Sequence, residues 1–538
     1  MRYLRLLPLL LAILLAGALS YYVWRLPTID MPMPSATRMA ERIAAIAREP
    51  HSVAHTEARE AVRRELVDQI EHLGADPVLL SYPNQEAKGY RFDAVDIFAQ
   101  WPPLFEDSDS VTWLMLVAHY DSRYPWAPVR DTVSSFGAAD DGYGVAVALE
   151  CIAQAIRHRM SWHQGIRLLL TDAEEVGMVG MKCAWEHNPE LFSRVGLLLN
   201  IEARGPYGPC LLFETSPGNA RLIDFFASQA IAPVGYSITN AVYRMMPNYT
   251  DFTIVRDELP GLNFAALADI NHYHTDKDCI AAVDTTTLAH YGRQIYPVIE
   301  SYLSTKRFAD PDALRAHHDD FYFSLPLFGL VHCSQGIFLM SNALLIILIV
   351  YLIRTSRRPL GKVLRSSASI LAAGLAVYVL GELLGYGCAL LCGARWKTMG
   401  TVAGIAADNV VMAVAVAALA AGIAIMLWRK HDAVQLLYSI LAVLMLLSVV
   451  LLFAAGDNMP FSFPLLVGGA TIAADRLNHS HVFIPLALFA ISLQAMTFLY
   501  VLAMALTIGA LGLVLFIAFF DLMLILTFSK IYWLEQHR

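Results

Sequence analysis

The chain has 538 residues, a formal net charge of −8 and 57% hydrophobic residues, and its mean hydropathy of +0.49 is too high for a water-soluble protein of that size. No basic block interrupts the acidic balance before residue 330, which argues against nucleic-acid binding. The 7 cysteines are odd in number and lack a paired spacing, so a disulfide scaffold is not expected, although one bridge has room to form.

Residues 1–25 carry Arg2 and Arg5 and then a nearly unbroken apolar stretch from Leu6 to Trp24. Ala16-Gly17-Ala18 resembles a cleavage site, but the stretch is long enough to span a bilayer, and an uncleaved anchor is the better reading. Either way the basic end stays in the cytoplasm and the following chain is exported.

After a Pro-rich joint, "LPTIDMPMP", Ser35 caps a predicted helix to about Ala47, and an amphipathic helix follows over about Thr56–Leu73. "YRFDAVDIFAQW" and "VTWLMLVAHY" read as strands, "GYGVAVALECIAQAIRH" as a helix, and "IRLLLTD" as a strand before a short helix near 177–187. "VGLLLNIEA", "CLLFET" and "LNFAAL" add strands, and a last helix runs over about Thr285–Leu303. Alternation of helices with all-apolar strands predicts an α/β fold, a helix-flanked, mostly parallel mixed sheet, within a domain of about residues 30–310.

From about residue 330 to 538 the chain reads as a multi-span membrane domain. Its first span, about Gly336–Ile353, is followed by Arg354, Arg357, Arg358, Lys362 and Arg365, the most basic short loop in the chain and hence a cytoplasmic one. Further spans are predicted near 369–391, 407–428, 435–454, 461–475, 482–502 and 505–527, about eight with the amino-terminal one. Arg429 and Lys430 fit a cytoplasmic end, whereas Arg395 and Lys397 run against the pattern. The α/β domain is therefore expected on the extracytoplasmic side, periplasmic or lumenal, of a multi-pass protein whose one constant partner is the lipid bilayer. Glu382, Asp408 and Asp521 fall in or near spans and suggest a functional interior, although anchoring or presenting a membrane-bound substrate explains the membrane half more simply.

In an open parallel sheet, ligands bind beyond the carboxyl ends of the strands. Here those ends carry His119 and Asp121, then Asp140 and Asp141, then Glu174 and Glu175, then Glu202, then His272 and His274. Each group has a plain explanation alone, such as a helix cap for "ADDG" or a solvated helix start for "EE". Five in succession, all oxygen or imidazole donors and none a cysteine, point to a catalytic Zn²⁺ or similar ion.

The stretches "AHYDS", "GAADDGYG", "DAEEVG", "NIEARG" and "YHTDKD" resemble the five ordered motifs of the zinc aminopeptidase family of bacterial leucyl aminopeptidase and aminopeptidase Y, over about residues 40–305. Joined to a multi-span carboxyl-terminal half, they resemble the branch of the endoplasmic-reticulum metallopeptidase and its bacterial relatives. The resemblance implies two zinc ions bridged by Asp141, with His119 and Glu202 completing one shell and Glu175 and His274 the other. Glu202 stands where many members have Asp. Asp121 would orient His119, and His272 is the fallback for His274. A proton carrier not spent on metal is needed, and Glu174 fits. The implied reaction is release of an amino-terminal residue from a peptide or protein. Tyr249 is a candidate oxyanion contact, although a packed loop tyrosine is the commoner case, and Arg204 either contacts substrate or, the favoured reading, neutralises the acids. Residues 248–250, "NYT", form a glycosylation sequon, relevant only in a eukaryotic secretory compartment. A single-zinc glutaminyl cyclase using Asp141, Glu175 and His274 is the nearest rival; a non-catalytic receptor and a transporter with a sensor domain are the others.

Overall fold

The computed structural model describes residues 7–22, 33–105, 111–125, 134–245, 248–391, 407–478, 482–506 and 510–535. Arg2, Arg5, Arg395 and Lys397, on which part of the expected topology rests, lie outside the described residues. Two compact units emerge, Trp24–Ser324 with Gly329–Ser334, and Met1–Val23 with Leu325–Phe328 and Gln335–Arg538.

In the second of these, the helix α1 (Leu7–Tyr22) packs against Ile484–Leu506, where Thr497 donates its hydroxyl to Ser20 at 2.9 Å and Ser20 donates to the Leu493 carbonyl at 3.2 Å. Five helices are long and apolar enough to cross a membrane among the described residues: Gln335–Arg354, Leu360–Gly387, Ala433–Ala455, Ile484–Leu506 and Leu511–Leu534. Helices also form at Ala407–Lys430 and Met459–Asn478, the latter interrupted by Pro464. Asp521 is buried, with no hydrogen-bond partner for either carboxylate oxygen among the described residues.

The α/β unit opens with α2 (Ala36–Ile46) and α3 (Thr56–His72). Ser35 caps α2 as expected, accepting from the Arg38 amide at 3.3 Å. There follow β1 (Val78–Ala87), β2 (Tyr90–Trp101), β3 (Trp113–His119), α4 (Gly142–Ala155), β4 (Gly165–Thr171), α5 (Val179–His187), β5 (Val195–Ala203) and β6 (Tyr207–Thr215). The unit closes with α6 (Ala220–Gln229), α7 (Ser237–Met245), α8 (Phe252–Val255), β7 (Gly261–Ala268), α9 (Thr285–Ser304) and the hairpin strands β8 (Asp320–Leu325) and β9 (Gly329–Ser334).

The seven-stranded sheet has the order β1-β2-β4-β3-β5-β7-β6. Its four central strands are parallel, and β1, β2 and β6 join antiparallel at the edges, so the mixed, mostly parallel sheet is borne out. Leu114, Leu116 and Ala118 of β3 face one apolar core with α2, α4 and α9, while Met115 and Val117 face the other with α5. Two buried faces explain why these strands are apolar at every position. β1 has no counterpart in the sequence reading. It is a half-exposed edge strand whose pairing shifts register between Tyr82 and Gln85, around Asn84 in a left-handed conformation.

The four parallel strands share one carboxyl edge. From β3 the chain runs through α4 to β4 on one side, whereas β5 leads to β6 and β7 on the other. The crevice between the ends of β3 and β5 is therefore a topological switch point, the place where such sheets bind ligands.

Candidate metal centre

His119, the last residue of β3, holds its Nδ1 3.0 Å from the Asp121 backbone carbonyl and 3.4 Å from its carboxylate. A proton on Nδ1 leaves the Nε2 lone pair facing the crevice. There it lies 3.3 Å from Asp140 Oδ1 and 3.6 Å from Glu202 Oε2. Across the crevice His274 Nε2 lies 3.2 Å from Asp140 Oδ2 and 3.2 Å from Glu175 Oε2. His119, Asp140 and Glu202 thus form one potential ligand group, and Asp140, Glu175 and His274 another.

Asp140, not Asp141, is common to the two groups, whereas the sequence reading expects the bridge on Asp141. Asp141 Oδ2 accepts from the His119 amide at 3.2 Å and Oδ1 from the Gly144 amide at 3.0 Å, so its carboxylate is spent on capping α4 and fixing the end of β3. Gly144 is required for that cap, because a Cβ there would meet the Asp141 carboxylate and the Ile201 carbonyl. The single-zinc alternative shifts in the same way, from Asp141 to Asp140.

Asp121 acts more broadly than expected. Besides holding His119, its carboxylate accepts from the amides of Glu174 at 2.9 Å and Glu175 at 3.4 Å, so it ties the end of β3 to the acid pair. Ala173 and Met178 on either side of that pair, and His274 itself, adopt left-handed backbone conformations (φ 57°, 59° and 60°) uncommon for non-glycine residues.

His272 turns away, towards Asp269 and Asn271, and belongs to neither group. Asp172 lies inside the unit, paired with Arg59 at 3.2 Å and accepting from the Val95 amide at 3.0 Å. Tyr249 is exposed at the pocket rim.

Three contributors were not legible as such in the sequence. Asp278, the second acid of "HTDKD", braces the loop carrying Asp140 by accepting from Ser135 Oγ at 3.0 Å and from the amides of Ala139 at 2.6 Å and Asp140 at 3.3 Å. Arg123 donates to Glu175 Oε2 at 2.8 Å and to the Glu175 carbonyl at 3.0 Å. Tyr273 stacks on His274, with ring centroids 3.6 Å apart.

The donor set fits a divalent cation. Among the described residues, Asp140 Oδ2, Glu175 Oε1 and His274 Nε2 are buried with no hydrogen-bond partner, although Asp140 Oδ2 and His274 Nε2 lie 3.2 Å apart. The electrostatics agree. Burial opposes charge on His119, yet hydrogen bonds to Asp121 and Asp140 raise its pKa well above the usual imidazole range. Burial raises Glu202 to about 8, against the pull of His119 and with the help of the Asp140 charge. Burial and the carboxylates of Glu202, Asp251 and Glu175 likewise raise Glu174, again against His119. A bound cation would offset the cost of burying so many acids together.

A pocket of about 320 Å³ opens over this cluster, lined by Asp140, Glu174, Glu175, Glu202 and His274 together with polar and aromatic side chains of the neighbouring loops.

Residues 97–299 match peptidase family M28. Human endoplasmic reticulum metallopeptidase 1 is 26% identical over 221 residues, 40% of this chain and 23% of that protein. The vacuolar membrane protease of Yarrowia lipolytica is 27% identical over 297 residues, 51% of this chain and 28% of that protein. The chain thus spans about a quarter of the length of these curated relatives. Among solved structures, a glutaminyl cyclase from Porphyromonas gingivalis aligns with a TM-score of 0.42 and 19% identity, covering 50% of this chain and 99% of the other. A zinc-dependent exopeptidase from Parabacteroides distasonis aligns with a TM-score of 0.40 and 18% identity, covering 50% and 99%. The zinc-peptidase resemblance carried by the five motifs is borne out by the family match and by the metallopeptidase relatives.

Proposed function

Taking residues 97–299 as a peptidase domain of family M28 joined to a multi-span membrane unit, we propose that the chain is a membrane-anchored, di-zinc aminopeptidase. It releases amino-terminal residues from peptides on the extracytoplasmic side. The observation that supports this best is Asp140, whose two carboxylate oxygens lie 3.3 and 3.2 Å from imidazole nitrogens of different ligand groups. A carboxylate can bridge two cations, whereas an imidazole cannot readily do so. His119 and Glu202 would hold one ion, and Glu175 and His274 the other. When bound there, a divalent pair would supply an activated water and a polarising charge for the scissile carbonyl.

The chain's own residues do the rest. Glu174 is adjacent to the ligand Glu175 but absent from both ligand groups, and it lines the pocket. Its place on the pocket wall beside the ligand Glu175 suits a carboxyl that takes a proton from water and returns it to the leaving amine. Asp121 holds both the His119 ring and the Glu174 backbone, so ligand and proton carrier keep a fixed relation.

The glutaminyl cyclase reading predicts a different product from the same pocket. Full-length protein in detergent, supplied with zinc, is incubated with peptides bearing amino-terminal leucine, alanine or glutamine. Free amino acid and a shortened peptide support the peptidase. Ring closure of amino-terminal glutamine, with ammonia released and every other peptide untouched, supports the cyclase instead.

A further inference from the structure

Lys88, Arg123 and Arg204 line the pocket, and they differ in what holds them. Lys88 is exposed on the β1–β2 turn. Arg123 is committed to Glu175 through two hydrogen bonds. Arg204 is the exception. Among the described residues its guanidinium makes no ion pair, and its Nε is buried without an acceptor. Its contact is the face of Tyr273, with Cζ 5.2 Å from the ring centroid.

Tyr273 in turn stacks on His274. This layering holds Arg204, two residues beyond Glu202, at a fixed place on the pocket wall. Nδ2 of Asn248, which lines the same pocket, is also buried without an acceptor. Buried N–H donors with no acceptor are costly, and two residues carrying such groups on the wall of one pocket call for an oxygen-rich group on whatever enters it. A guanidinium binds a carboxylate best of all, through a charge-assisted and often bidentate pair.

We propose that Arg204, assisted by Asn248, anchors a carboxylate of the substrate, so that the pocket selects peptides carrying an acid close to the scissile bond. The inference rests on the peptidase reading above. Two sources present that chemistry: the side chain of an amino-terminal aspartate or glutamate, and the free carboxyl terminus of a dipeptide. Arg204 is a specificity determinant in both cases and takes no part in the proton transfers.

The test uses zinc-loaded, full-length protein and two matched substrate pairs. Aspartyl-anilide is compared with asparaginyl-anilide, and alanyl-alanine with its carboxyl-terminal amide. Wild type is expected to favour the acid in one pair by about ten-fold or more in kcat/KM, mainly through KM, as loss of a charge-assisted contact implies. A preference within the anilides assigns the side chain, and one within the dipeptides assigns the carboxyl terminus. Arg204→Gln should collapse that ratio, and Arg204→Lys should restore part of it. No preference in either pair, or a preference that survives Arg204→Gln, overturns the proposal while leaving the peptidase reading intact. If no peptide is cleaved, the peptidase reading fails and the anchor is read by thermal shift with glutarate. Stabilisation of wild type that is lost in Arg204→Gln sustains the carboxylate site; equal shifts overturn it.

Discussion

Asp140 and Asp141 are adjacent and chemically identical, and both are almost fully buried, so exchanging each for alanine separates metal binding from folding. Asp141→Ala removes the acceptor for the Gly144 amide at the start of α4, a cap worth about 0.5–2 kcal/mol. It also leaves the buried His119 amide unpaired, at a cost of about 1–3 kcal/mol. Relief of repulsion from Glu202 and Asp140, which with burial raises the Asp141 pKa, offsets part of this. A net loss of about 2–3 kcal/mol corresponds to a fall in Tm of roughly 3–5 °C for a unit of this size. Asp140→Ala should do the reverse. It removes the one residue common to both ligand groups, so zinc content should collapse, while metal-free protein melts close to metal-free wild type. The assays are zinc by mass spectrometry and unfolding by intrinsic fluorescence, both on full-length protein in detergent. The reasoning is refuted if Asp141→Ala loses its zinc without a change in the metal-free Tm while Asp140→Ala keeps its zinc.

Two further expectations concern groups away from the metal centre. Arg59→Ala leaves the buried Asp172 with only Arg63, at 3.8 Å, and should cost about 3–5 kcal/mol in chemical denaturation; the double change Arg59→Met with Asp172→Asn should recover much of that. His290 is buried, accepts from the Cys210 amide at 3.0 Å, and is lowered from 6.5 to about 4 chiefly by burial. The folded state then binds fewer protons than the unfolded state, so the stability contributed is complete above pH 6.5 and is lost as pH falls towards 4. The loss should reach about 3 kcal/mol, and a His290→Gln variant should show a flatter stability profile across that window.

The central strands were legible because a strand buried on both faces must be apolar throughout, and its first polar residue then marks the edge where ligands bind. That logic led to His119, Glu175, Glu202 and His274, which the structure brings together. It placed the bridge on Asp141 rather than on Asp140, although composition and spacing are the same for both. Only the backbone decides which carboxylate meets two amides and which faces the histidines. Asp278 was hidden for a related reason: its work is hydrogen bonding to the Asp140 loop, far away in sequence. Arg204, two residues past Glu202, lies against the ring of Tyr273, a partner far away in sequence. β1 went unseen because an edge strand interrupted at Pro83-Asn84 lacks a clean alternation.

The most direct test measures zinc and turnover together in wild type and Glu174→Gln, using full-length protein and an amino-terminal peptide substrate. The account predicts two zinc ions per chain in both proteins, with cleavage in wild type and almost none in Glu174→Gln. A wild type that cleaves the peptide with no divalent metal bound, or a Glu174→Gln protein that loses zinc and activity together, would contradict it.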